Sequence, residues 1–165
     1  MSHQDAIRIV LVGTQHPGNI GSAARAMKTM GLANLVLVAP KRYPDPEATA
    51  LAAGAADILE QAQVVSSVQE ALAGCTYVIG TSSRERAVVL PELWPRQAAS
   101  ELVDKSTRSP VALLFGPERT GLENEELQLC HARVFILCNP VFASSNLAAV
   151  VQVLSFEIRL LRLER

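Results

Sequence analysis

Apolar residues fall along this 165-residue chain with two different spacings. Four short unbroken runs are "IRIVLVG" (Ile7 to Gly13), "NLVLVAP", "TYVIGTS" and "PVALLFG", each bounded by Gly, Pro or polar residues. Runs of that length between turn residues predict strands buried on both faces, as in a parallel sheet. "AQVVS" and "RVFILCN" read as two further strands. Between the strands the spacing becomes helical. Asn19 to Met30 places Ile20, Ala23, Ala24, Met27 and Met30 on one side, with Gly31 as the stop. "DPEATALAAGAADIL" opens as a helix with Asp45 as cap and Pro46 at the first position. Val68 to Ala73, Gln97 to Val103 and "ENEELQLCH" read as short helices. From Asn146 to about Leu163, the residues Leu147, Val150, Val151, Leu154, Ile158 and Leu161 form one apolar stripe. Arg84 to Arg96 has two prolines and no period, and reads as a long loop.

Alternating strands and helices predict an α/β fold: a mostly parallel sheet with helices on both faces. No linker or repeat divides the chain, so residues 1–165 read as one domain, long enough for a substantial core. Apolar residues make up 49% of the chain and aromatics only 4%, which favours helices on a buried sheet over an aromatic-rich sandwich. No apolar run approaches the roughly 20 residues that span a bilayer. "MSHQDAIRIV" lacks the features of a secretory signal, and three cysteines at irregular spacing fit reduced thiols, so a cytoplasmic location is expected. Cys130 and His131 have no second close pair to complete a tetrahedral site, so no metal is expected. The formal charge of −1 is unlike the basic surplus of most nucleic-acid binders. Any such binding must use a local patch, a second subunit or a further segment of protein.

In open α/β sheets, ligands sit beyond the carboxyl ends of the strands. That rule selects four loops: "GTQHPGN", "GTSSRER", "FGPERTGL" and "CNPVFASSN". The first has neither the dinucleotide fingerprint nor a P-loop Lys-Ser or Lys-Thr pair. It reads equally as a tight turn with Asn19 as a helix cap, and Arg25 as half of a surface ion pair. The second offers hydroxyls and Arg84 and Arg86, either as a solvated turn or as contacts to a phosphate. In the third, Gly116 allows close backbone approach, Gly121 allows a turn, and Glu118 between them needs a partner. In the fourth, Ser144, Ser145 and Asn146 stand at a helix start, where such residues commonly cap.

Taken together, "NIGSAARAMKTMGL", "LLFGPERTGLENEEL" and "NPVFASSNLAAVVQVL" resemble the three motifs of SPOUT-class RNA methyltransferases. With "VIGTSSRER" and "IRIVLV", the resemblance covers almost the whole chain and is closest to the TrmJ branch, tRNA ribose 2′-O-methyltransferases. It implies a SPOUT fold with a C-terminal deep trefoil knot, a homodimer, and S-adenosyl-L-methionine as donor, leaving S-adenosyl-L-homocysteine. It implies tRNA as substrate, with the methyl placed on cytidine or uridine at position 32 of the anticodon loop. It also implies a C-terminal extension after this domain, so the chain is expected to be the catalytic domain alone.

The resemblance assigns the donor pocket to Thr81, Ser82, Ser83, Gly116, Ile136, Ala143, Ser144, Ser145 and Leu147. Small residues, backbone groups and apolar walls suit a flat, neutral adenine. Ser145 departs from the family, where leucine is common, and exchanges an apolar contact for a hydroxyl. The catalytic set is Arg25 with Asn19, Glu118, Ser144 and Asn146, and RNA contacts fall to Arg25, Lys28, Arg84 and Arg86. A guanidinium with a pKa above about 12 is a poor base. Arg25 is therefore expected to grip a phosphate and stabilise the developing alkoxide, while Ser144 and Asn146 orient the ribose. Two rivals are a module that binds the donor and RNA without transferring a methyl group, and an oxidoreductase. The second lacks both the glycine fingerprint and an acid after the second strand, where "VAPKRYP" stands.

Overall fold

In the computed structural model, residues 6–82, 88–136 and 146–164 are described. Seven strands are β1 (Ile7–Val12), β2 (Leu35–Val38), β3 (Gln63–Val65), β4 (Tyr77–Thr81), β5 (Glu92–Leu93), β6 (Val111–Phe115) and β7 (Ala132–Val134). They form one sheet in the order β3-β2-β1-β6-β4-β7-β5, and every pairing is parallel. The seven principal helices are α1 (Pro17–Thr29), α2 (Pro46–Ala52), α3 (Ala56–Gln61), α4 (Val68–Ala71), α5 (Pro95–Ser106), α6 (Asn124–Leu127) and α7 (Leu147–Glu164).

Alternation along the strands sends side chains to two faces of unequal depth. Ile7, Ile9 and Leu11 of β1 join the larger core with Leu35, Leu37, Leu113 and Phe115, beneath α1, α2, α3, α5 and α7. Val10 and Val12 face the other side with Val36, Val38, Val78 and Leu114, where, among the described residues, the short α4 and α6 and loop residues such as Leu122 and Cys130 cover them. Arg8 points to this thinner side and donates to the carbonyls of Ala71 (3.0 Å) and Ala73 (2.7 Å), closing the end of α4.

The sheet and its helices follow the sequence reading, with local differences. α1 begins at Pro17, two residues before the expected start, because proline suits the first helical turn. Residues 84–96 are not all loop: Glu92 and Leu93 pair with Arg133 and Val134, and α5 already starts at Pro95. A two-residue strand has too few positions to show a period. The expected helix over "ENEELQLCH" is only one turn, α6. Residues 137–145, which hold Ala143, Ser144 and Ser145, lie outside the described residues, as do Ser83, Arg84 and Arg86.

Candidate active site

The first loop's glycines serve packing. A Cβ on Gly21 would lie 2.1 Å from the Ala48 carbonyl oxygen, and one on Gly18 would lie 2.6 Å from Leu51 Cδ1. α1 therefore lies directly against the backbone of α2, and this packing fixes the direction of the helix that carries Asn19 and Arg25.

The end of β6 supplies the partner that Glu118 requires. Gly116 bends the chain so tightly that a Cβ there would sit 2.3 Å from Leu122 N, and Gly121 adopts φ 69°. This fold-back aims Glu118 at the start of α1. Its carboxylate accepts from the Gln15 N–H (2.9 Å to Oε1 and 3.2 Å to Oε2), the His16 N–H (3.1 Å) and Asn19 Nδ2 (2.7 Å). Helix starts leave N–H groups unpaired and carry partial positive charge, so an anion belongs there. Burial works to raise the Glu118 pKa, but the Gln15 N–H, the Asn19 amide and the His16 N–H outweigh it, and the carboxyl sits below the usual glutamate range. Asn19 is thus not the helix cap that the sequence suggested. His16 holds that position without a side-chain bond, and Asn19 reaches across to Glu118.

Arg25 is exposed on α1 and makes no hydrogen bond or ion pair to another described residue. Lys28, one turn later, is engaged: its Nζ lies 2.9 Å from Asp57 Oδ1 and donates to the Gly54 carbonyl at 3.1 Å. At the start of α7, Asn146 Oδ1 accepts from the Ala148 N–H (2.8 Å) and the Ala149 N–H (3.3 Å), the capping role open to it from sequence. α7 is tied to α1 where Gln152 Nε2 approaches Thr29 Oγ1 at 3.3 Å.

Of the described members of the expected donor pocket, Thr81, Ser82, Gly116 and Ile136 end or follow β4, β6 and β7, three neighbours in the sheet. The Thr81 hydroxyl donates to the Leu114 carbonyl (2.9 Å), and the Ser82 N–H donates to the Val134 carbonyl (3.2 Å), so both residues tie strand ends together. Half-buried Gly116 and Ile136 and buried Leu147 are the remaining described members. Backbone, small residues and aliphatic walls at one rim fit a flat adenosine better than an ionic ligand. Among the described residues no group of three His, Cys, Asp or Glu side chains could hold a metal.

Sequence reasoning missed three contributors: the N–H groups of Gln15 and His16, and Gly80. Gln15 donates its N–H to Glu118, but a backbone donor has no sequence signature. Gly80 brings the motif loop onto β4, since a Cβ there would meet Cys130 Sγ and Leu122 Cδ1 at 3.0 Å. A glycine in an apolar strand was the available signal.

The SpoU rRNA Methylase family pattern matches residues 6–156, almost the entire chain. The chain belongs to the SpoU methylase family. It is 55% identical over 154 residues to the tRNA (cytidine/uridine-2′-O-)-methyltransferase TrmJ of Salmonella typhimurium, covering 93% of this chain and 63% of that relative. The chain thus spans about 63% of the length of the curated relatives it matches. Among solved structures, a probable methylase family protein from Haemophilus influenzae Rd KW20 superposes with TM-score 0.92 at 48% identity, covering 98% of this chain and 68% of the other. TrmJ from Z. mobilis ZM4 superposes with TM-score 0.86 at 42% identity, over 92% and 68% of the two chains. The three SpoU motifs therefore lie on a fold shared across these relatives, and two of them meet in the Asn19–Glu118 contact.

Proposed function

We propose that this SpoU chain carries the catalytic unit of a tRNA ribose 2′-O-methyltransferase acting on cytidine or uridine 32 in the cytoplasm. The observation that carries this reading is the Asn19–Glu118 hydrogen bond at 2.7 Å. It locks the motif-bearing helix α1 to the motif loop after β6, and leaves Arg25 exposed on that helix. An acid committed to four hydrogen bonds and held ionised serves as a clamp rather than a proton donor.

The described donor residues fit S-adenosylmethionine, which supplies a methyl group already activated by its sulfonium. Gly116, Ile136 and Leu147 pack against the adenosine, while the Thr81 and Ser82 bonds keep the strand ends in place. Ser83, Ala143, Ser144 and Ser145 complete that pocket, within the knot that the family resemblance implies. Arg25 holds the phosphate beside the target ribose and stabilises negative charge as the 2′-oxygen loses its proton. Arg25 lies one turn before Thr29, and Ala148 one turn before Gln152. The start of α7 that Asn146 caps therefore belongs to a helix packed on the one that carries Arg25. Arg84 and Arg86 add phosphate contacts, whereas Lys28 steadies α3 through Asp57 and plays a smaller part.

The enzyme works as a homodimer. Val153, Phe156 and Leu163 on α7 are 43%, 50% and 69% exposed and share one helical stripe, an apolar face suited to a second copy. Titrating the purified protein with S-adenosylmethionine by calorimetry, then assaying methyl transfer to an unmodified tRNA transcript, tests the reading. Binding followed by transfer supports it. Binding without transfer to any tRNA would assign the chain to a non-catalytic donor-binding module.

A further inference from the structure

A groove of about 510 Å³ opens beyond the ends of β1 and β2, bordered by the loop that follows Gly116. Val12, Val38 and Leu129 give it an apolar lining, while Lys41, Gln69 and Glu125 are among its polar groups. Its wall includes Pro117 and Thr120, from the same loop whose Glu118 clamps α1. The groove is therefore continuous with the arm that positions Arg25. We propose that it seats the base of a nucleotide neighbouring the methylated one, with Gln69 and Glu125 reading the base edge. This rests on the RNA-methyltransferase reading above.

Three observations favour a base over other occupants. The volume lies within the usual range for small-ligand sites, about 300–1,000 Å³, and accommodates one nucleotide. The lining combines aliphatic surface for a flat ring with amide and carboxylate groups for its edge. Among the described residues Lys41 is the only cation in the lining, against Glu125 and Glu126, so a phosphate inside would meet net negative charge from them. The phosphodiester instead passes on the Lys41 side, and the neutral base enters. Glu126 Oε1 is already bound by the Glu123 N–H at 2.7 Å. Exposed Glu125 has no hydrogen bond or ion pair to another described residue, so it is the acceptor open to a ligand. A carboxylate accepts from an exocyclic amine, so the groove prefers cytosine, adenine or guanine over uracil at that position.

The test compares wild type, Gln69→Ala and the isosteric Glu125→Gln, after thermal melts establish that all three fold alike. Anisotropy measures binding of a labelled unmodified tRNA transcript, and methyl-transfer assays give kcat and KM. Each variant is expected to weaken tRNA binding and raise KM about tenfold, with kcat and the affinity for S-adenosylmethionine within about twofold of wild type. Unchanged binding and KM in both variants would overturn the assignment, as would tighter binding by Glu125→Gln, which would show that the acid merely repels RNA. If wild type binds tRNA without methylating it, the catalytic reading fails while the binding arm still decides the groove. If wild type binds no tRNA, both fail.

Discussion

At the scale of single residues, the proposed function separates a clamp, Glu118, from a charge stabiliser, Arg25. Arg25 is exposed and uncommitted to other described residues, whereas Glu118 is bound by three neighbours. Arg25→Ala should lower kcat by about 100- to 1,000-fold while leaving the calorimetric affinity for S-adenosylmethionine intact. Arg25→Lys should recover only a small part of the loss, because an ammonium cannot bind a phosphate bidentately. A fully active Arg25→Lys enzyme would contradict that role. Glu118→Gln keeps the side-chain size but loses the ionic acceptor, and should cost about 1 kcal/mol, or about 3 °C in Tm, at neutral pH. The pH dependence has a definite sign. The folded-state pKa of Glu118 is depressed, so its contribution is complete above the ordinary glutamate pKa and is lost as pH falls through the lower folded value. Denaturant melts between neutral pH and pH ~3 should show that part of the acid limb diminished in Glu118→Gln. The Glu118 partnership was only half legible in the sequence. An acid in a strand-end loop signals a need for donors, but its partners lie 99 to 103 residues away, and two of the donors are backbone groups. Nothing local names them.

At the scale of elements, the close approach of α1 and α2 sets where the site residues stand. Gly21→Ala would drive a methyl into the Ala48 carbonyl and the Ala52 N–H, forcing the helices apart. It should cost about 1–3 kcal/mol, as overpacking does, and reduce activity by moving Asn19 and Arg25 together. Gly54→Ala is the contrast, since nothing lies within 4 Å of a Cβ there. It should be neutral or stabilising by up to about 1 kcal/mol. Thermal melts of the two variants side by side check both expectations. The strands and long helices were legible because continuous apolar runs and 3.6-residue stripes extend over several turns or pairs. β5 and the true length of α6 were not, since two and four residues leave no period to read. The packing role of the glycines in α1 was not legible, because sequence shows a glycine's freedom without showing which neighbour uses it.

At the scale of the whole molecule, the loops proposed to carry the chemistry follow strands of an all-parallel sheet, and α7 bears an exposed apolar stripe. Phe156→Glu should convert a dimer to a monomer in analytical ultracentrifugation, since a charge in the centre of an apolar interface is costly. If residues from both copies complete the site, methyl transfer falls with it. A sheet order running β3-β2-β1-β6-β4-β7-β5 requires non-local pairing that propensity cannot specify, so the sequence reading reached a mostly parallel sheet but not its order. The most direct test of the catalytic reading is to incubate the protein with methyl-labelled S-adenosylmethionine and an unmodified tRNA transcript, then map the label by nuclease digestion and mass spectrometry. The expected result is one 2′-O-methylated cytidine or uridine in the anticodon loop, abolished by Arg25→Ala. Label on a base, or equal labelling by the Arg25→Ala protein, would contradict it.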